Sequence, residues 1–102
     1  MELVYKHDNK IVARIYVDYI RDKVKVINYT DNFLEKPFGA NDNPTIKDFE
    51  DLVEDRCFPR SRDMMKLHLQ ELGIGCYEPL DIIRQTQGKL EGDYFSLEIV
   101  KE

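Results

Sequence analysis

The chain has 102 residues, of which 42% are hydrophobic and 34% charged, and a formal net charge of −5. That length fits one domain, which would bury roughly two-thirds of its unfolded surface, and the composition is too apolar for intrinsic disorder. The acid excess argues against non-specific binding along a nucleic-acid backbone, where phosphates must be met by lysine and arginine.

The first third reads as strands. Leu3 to Lys6 is short and rich in strand formers, and His7-Asp8-Asn9-Lys10 is a turn in which Asp8 and Asn9 tolerate the tight backbone. Ile11 to Tyr19 alternates loosely, Arg21-Asp22-Lys23 turns again, and Val24 to Tyr29 returns as a third strand. Connections this short predict an antiparallel meander. Thr30 to Asn43 carries Pro37, Gly39 and several charges and is predicted as a loop, with Phe33, Leu34 and Phe38 expected to anchor it in the core.

Three helical patterns follow. Thr45 is placed to cap the first, with Asp48 reaching back to complete a capping box. Ile46, Phe49, Leu52 and Val53 share one helical face, and Asp48, Asp51, Glu54 and Asp55 fall towards the other. Arg56 suits the negative end of the helix and Pro59 stops it. Ser61 is the expected cap of a second helix, with Asp63 and Met64 in its first turn, a stripe at Met65, Leu69 and Leu72, and Gly73 as the terminating residue. Pro79 fits the first turn of a third helix, Leu80 to about Gln87, which buries Leu80, Ile82 and Ile83 and closes at Gly88. Tyr94 to Val100 alternates strongly, with Phe95, Leu97 and Ile99 on one face, and should join the meander. The expected fold is α+β, in the order β-β-β-α-α-α-β, with the three helices packed on one face of the antiparallel sheet.

The sequence carries little recognisable chemistry. Gly39, Gly73, Gly75, Gly88 and Gly92 are not spaced as a phosphate loop between a strand and a helix. His7, His68, Cys57 and Cys76 lack the clustering of metal ligands, so no metal and no cofactor is expected, and His68 reads as a half-buried helix residue. Cys57 lies near a helix start and cationic side chains, which would favour a thiolate, but no oriented base accompanies it and no catalytic residue is assigned. Two cysteines do not make a disulfide framework and are expected as reduced thiols. The opening residues have no secretory pattern and no apolar run approaches a membrane span, so a cytoplasmic protein is expected. The Asn28-Tyr29-Thr30 glycosylation pattern carries no weight in that setting. Tyr5, Tyr16, Tyr19 and Tyr29 read as half-buried sheet side chains, not as a stacking platform for bases.

The stretch from Arg56 to Asp63 holds three arginines in an acidic protein. Arg56, Pro59, Arg60, Ser61 and Arg62 form a candidate partner- or anion-binding corner, with guanidinium groups flanking a helix N-terminus. The competing structural reading pairs Arg56 with acids of its own helix and uses Arg60 and Arg62 to hold the loop against the sheet. Asp48, Asp51, Glu54 and Asp55 form a second candidate surface, an acidic face suited to a basic partner.

Several segments together resemble the N-terminal subdomain of HipA-type serine/threonine kinases, which also occurs as a separate small protein, HipS, in split three-gene toxin–antitoxin systems. Val4 to Ala13 fits the opening strand–turn–strand, and Phe49 to Leu72 the helix, proline turn and arginine-bearing helix. Pro59-Arg60-Ser61-Arg62, Leu69-Gln70-Glu71-Leu72-Gly73 and Gly88 to Phe95 are similar to short motifs of predicted HipA-like proteins. Ala13 stands where many relatives have glycine, and no phosphate loop, catalytic aspartate motif or magnesium-binding asparagine follows. The resemblance implies a detached cap without the enzyme: a non-enzymatic interaction module, antitoxin-like, that restrains a HipA-like kinase, with no direct contact to nucleic acid or membrane. The acidic face supports an alternative, a small inhibitor from a mobile element that plugs the basic channel of a nucleic-acid-binding defence protein. An enzyme using Cys57 is the third and remotest expectation.

Overall fold

A computed structural model describes residues 1–57, 64–90 and 92–102 of the chain. Among them are β1 (Glu2–His7), β2 (Lys10–Asp18), β3 (Lys23–Asn28), α1 (Ile46–Asp55), α2 (Met65–Glu71), α3 (Pro79–Thr86) and β4 (Phe95–Lys101). The four strands form one antiparallel sheet in the order β3-β2-β1-β4, so the closing strand lies against β1. This is the α+β order expected from the sequence, with the helices on one face.

The first hairpin turns through Asp8 and Asn9, whose φ values of 52° and 66° are the pair of left-handed residues that a two-residue turn needs to match strand twist. Register then sorts the side chains. Leu3 faces Ile15 and Ile99, and Tyr5 faces Ala13 and Leu97, so the odd positions of β1 lie in one apolar layer with Val17, Val24 and Val26. Phe49, Leu52 and Val53 of α1, Leu69 of α2 and Ile82 and Ile83 of α3 close over that layer. Each fully buried side chain of this kind contributes roughly 1.5–3 kcal/mol. The opposite face carries ion pairs between Lys6 and Glu98 at 2.8 Å and between Arg14 and Glu2 at 3.9 Å. Val4 is buried on that face between Arg14 and Glu98, its neighbours in register, whose aliphatic stems can cover it.

The helix ends follow their local chemistry. Thr45 and Asp48 make the capping box: the Asp48 N–H donates to Thr45 Oγ1 at 3.2 Å, and the Thr45 N–H to Asp48 Oδ2 at 2.9 Å. At the end of α2 the Ile74 N–H reaches Leu69 O at 2.8 Å and the Gly73 N–H reaches Gln70 O at 3.0 Å, a Schellman closure with Gly73 at φ 75°. Pro79 occupies the first turn of α3, and Gln87 and Gly88, both left-handed, end it.

Three expectations need correction. α2 starts at Met65, and Met64, expected in its first turn, is left-handed at φ 60° and outside the helix. Phe38 packs on the core, but Phe33 and Leu34 are 60% and 87% exposed. Local hydrogen bonds set that loop instead: Asn32 Oδ1 accepts the Leu34 N–H, and Thr30 Oγ1 accepts the Asn32 N–H while donating to Glu35. Tyr5 is buried and Tyr16 half-buried, whereas Tyr19 and Tyr29 sit just past their strands and are exposed.

Candidate functional site

Arg56 follows the last turn of α1 and turns inward, leaving only 6% of its surface exposed. Its Nε donates to Gly88 O at 2.9 Å, Nη1 to Asp93 Oδ2 at 2.9 Å, and Nη2 to Asp93 Oδ1 at 3.2 Å and to Phe95 O at 3.0 Å. The planar fork thus spans a carboxylate and two carbonyls from the α3–β4 connection and β4. The Arg56 hydrogen bonds hold the Asp93 carboxyl below its ordinary range against the opposing effect of partial burial; Asp93 also accepts the Phe95 N–H at 2.6 Å. Neither sequence reading of Arg56 survives: it is not presented to a partner, and its carboxylate is on another element, not its own helix. The rest of the proposed corner, Pro59, Arg60, Ser61 and Arg62, lies outside the described residues, as does Asp63.

Beside this clamp the Phe95 ring stacks on Tyr5 at 5.2 Å and on His7 at 4.5 Å. His7 Nδ1 lies 3.4 Å from Glu35 Oε1, which ties the loop after β3 to the end of the sheet. Burial pushes the Tyr5 phenol up, with Arg56 acting in the opposite sense.

The acidic face of α1 divides into two flanks. Asp48, Asp51 and Asp55, spaced i, i+3, i+7, line a shallow cleft of about 260 Å³ with Pro37, Phe38, Asn41 and Leu52. Their charge is partly committed. Asp48 serves the cap, accepts from Asn41 Nδ2 at 3.1 Å, and is held below the usual carboxylate range first by the Thr45 N–H. Asp51 pairs with Lys47 at 3.3 Å. Glu54 belongs to the other flank with Glu50, one turn before it.

That second flank forms a deeper cleft of about 330 Å³, between α1, the start of α3 and the end of β2. Phe49, Val53, Pro79 and Leu80 supply apolar lining, Tyr19 forms an aromatic wall, and Glu50, Glu54 and Glu78 supply carboxylates. Tyr19 meets Phe49 edge-on at 6.5 Å. Its phenol is raised by partial burial and then by the negative charges of Glu50 and Glu78. Among the described residues neither Glu50 nor Glu78 has an ion-pair partner. Sequence reasoning missed Glu50, Glu78 and Tyr19. The i, i+4 spacing of Glu50 and Glu54 was readable; the arrival of Glu78 and Tyr19 beside them depends on tertiary packing.

Cys57 is buried, with Sγ donating to Val53 O at 3.2 Å and Pro79 O a second acceptor within reach at 3.5 Å, and Cys76 is exposed. His68 is half-buried on α2. Among the described residues no group of three or more His, Cys, Asp or Glu is placed to hold a metal ion, and no helix is long and apolar enough to cross a membrane. A groove of about 680 Å³ at the far end of the sheet mixes Lys23, Lys25 and Lys101 with Glu2, Asp18 and Asp22, so no one charge prevails there. No protein-family model, curated protein or solved structure matches the chain.

Proposed function

We propose that this chain is a non-catalytic protein-interaction module that presents α1 to a cationic surface of a partner protein. Following the motif resemblance, that partner is a HipA-like serine/threonine kinase, and the module restrains it. The observation that carries the proposal is the state of α1. Its buried face and capping box fix the helix, the Arg56 clamp fixes the residue that follows it, and Glu50, Asp51, Glu54 and Asp55 are exposed on its solvent side with Lys47 as the one basic residue of the helix. A fixed, predominantly negative helix surface suits electrostatic complementarity, which sets association rate and partner choice more than raw affinity. The acidic helix also supports the alternative of an inhibitor that occupies a nucleic-acid channel, because the Asp48, Asp51 and Asp55 stripe repeats negative charge along one edge.

Affinity capture from the native host, with proteins identified by mass spectrometry, tests the proposal. The expected result is a HipA-like kinase that is retained by the wild-type chain and lost when Glu50, Asp51, Glu54 and Asp55 are changed to lysine. Asp48 stays unchanged in that variant because it holds the helix cap. Recovery of a nucleic-acid-binding protein in place of a kinase would favour the alternative. Capture that persists undiminished after charge reversal would remove α1 as the binding surface.

A further inference from the structure

We infer that the cleft between α1 and the start of α3 is the seat for one basic side chain, an arginine, of the partner protein. The inference rests on the proposed interaction role and gives that role a specific anchor. The cleft combines three features that one side chain satisfies together. Pro79 and Leu80, both partly exposed over the buried Phe49 and Val53, offer apolar surface to an aliphatic stem. Tyr19, 46% exposed and braced edge-on by Phe49, offers a ring face to a cation. Glu50 and Glu78 approach the cleft from different elements, α1 and the residue before α3, and bring charge that no described cation offsets.

Charge complementarity decides the occupant. An apolar or acidic guest would leave or add to the negative charge at the rim, and a small cation would leave the apolar lining wet. A lysine fits the same chemistry, but the planar, weakly hydrated guanidinium stacks on a ring while donating to two carboxylates, which a point-charge ammonium does less well. The Asp48, Asp51 and Asp55 flank lacks this combination: Asp48 is engaged in the helix cap, Asp51 pairs with Lys47, and the ring there, Phe38, is packed on the core.

The probe is N-acetyl-arginine methylamide, titrated into the full chain and followed by amide chemical shifts. Its citrulline counterpart, which keeps the shape and lacks the charge, is the control. The expected result is saturable shifts centred on Tyr19, Glu50, Val53, Glu78 and Leu80, with the citrulline compound at least about five-fold weaker. The Glu50→Gln/Glu78→Gln variant changes two exposed side chains conservatively, so it should fold, and it should weaken the arginine compound by a similar factor. Absence of saturable shifts, shifts centred on Asp48, Asp51 and Asp55, or equal binding of the citrulline compound would each overturn the inference. Partner capture separates its failure from that of the wider proposal. If charge reversal of α1 abolishes capture while Glu50→Gln/Glu78→Gln leaves it intact, the arginine seat fails and the module stands. If neither variant reduces capture, both fail.

Discussion

Changing Arg56 to methionine tests the clamp that joins α1 to β4. Methionine keeps much of the volume and flexibility of the side chain and removes every donor. The bond to Gly88 O is buried and contributes about 1–1.5 kcal/mol, and the part-buried bond to Phe95 O about 1 kcal/mol. The bidentate pair with Asp93 would rank higher if closed off from water, but the Asp93 side chain is 31% exposed, so solvent screening reduces its share to about 1 kcal/mol. The expected total is about 3 kcal/mol, a large part of the 5–15 kcal/mol that roughly spans small-domain stability. Replacing a buried ion pair with apolar groups can be neutral when both partners go. Here one partner goes, and two carbonyls lose their donor as well. Urea denaturation followed by circular dichroism reads the loss directly. Arg56→Lys should fall between wild type and Arg56→Met, because one ammonium cannot span a carboxylate and two carbonyls. The pH dependence supplies a second readout. Asp93 has its carboxyl lowered in the folded state, so the pair's contribution is complete above the ordinary carboxylate range, about pH 4, and is lost as pH falls through the depressed value. Arg56→Met should therefore lose less stability between neutral and strongly acidic pH than the wild type does. A cost below about 1 kcal/mol, with an unchanged acid dependence, would show that the guanidinium is a bystander.

Gly88 and Gly73 give a matched contrast. Both have positive φ, but a Cβ on Gly88 would lie 2.8 Å from the Leu97 amide nitrogen, whereas one on Gly73 meets nothing within 4 Å. Gly73→Ala should cost about 1–2 kcal/mol from backbone strain alone, and Gly88→Ala about 3 kcal/mol or more because β4 must shift; equal losses in thermal or urea unfolding would contradict the packing described for β4. Thiol titration should find one fast site and one slow site in the folded chain. Cys76 is exposed and Cys57 is buried against Val53 and Pro79, so rapid modification of both thiols, checked by peptide mapping, would reopen a reactive role for Cys57.

The features legible in the sequence are those decided within a few residues. Thr45 and Asp48 announce α1 because the capping box is closed at a spacing of three, and Gly73 announces the end of α2 because a left-handed residue is needed there. The alternation in β4 likewise marks the side that would be buried. What was illegible lies at long separation. Asp93, the carboxylate that Arg56 meets, is 37 residues along the chain, and nothing local to Arg56 distinguishes it from the acids of its own helix. Phe33 and Leu34 have the hydrophobicity of core anchors, but the loop's own side-chain hydrogen bonds decide its path. The candidate surface was half legible: the acids of α1 were counted, but their division into two flanks required the 3.6-residue turn to be followed through Glu50 as well as Asp48.

The clamp and the acidic surface have a common origin in the direction taken by Arg56. A cation just past the C-terminus of a helix ordinarily lies along the last turn, where it offsets the helix dipole and nearby carboxylates. Arg56 instead spends its charge on Asp93, and α1 has no basic residue in its last turn. Its charge is therefore withdrawn from the solvent side that carries Glu54 and Asp55, and the same contacts fix the helix relative to the sheet. Rigidity and negative potential arise together from one inward rotation of a side chain. That coupling has a kinetic consequence for any cationic partner of α1. The association rate should fall as salt rises, because the attraction acts over distances comparable to the Debye length, while the dissociation rate, governed by desolvated contacts in the Tyr19 cleft, should respond less.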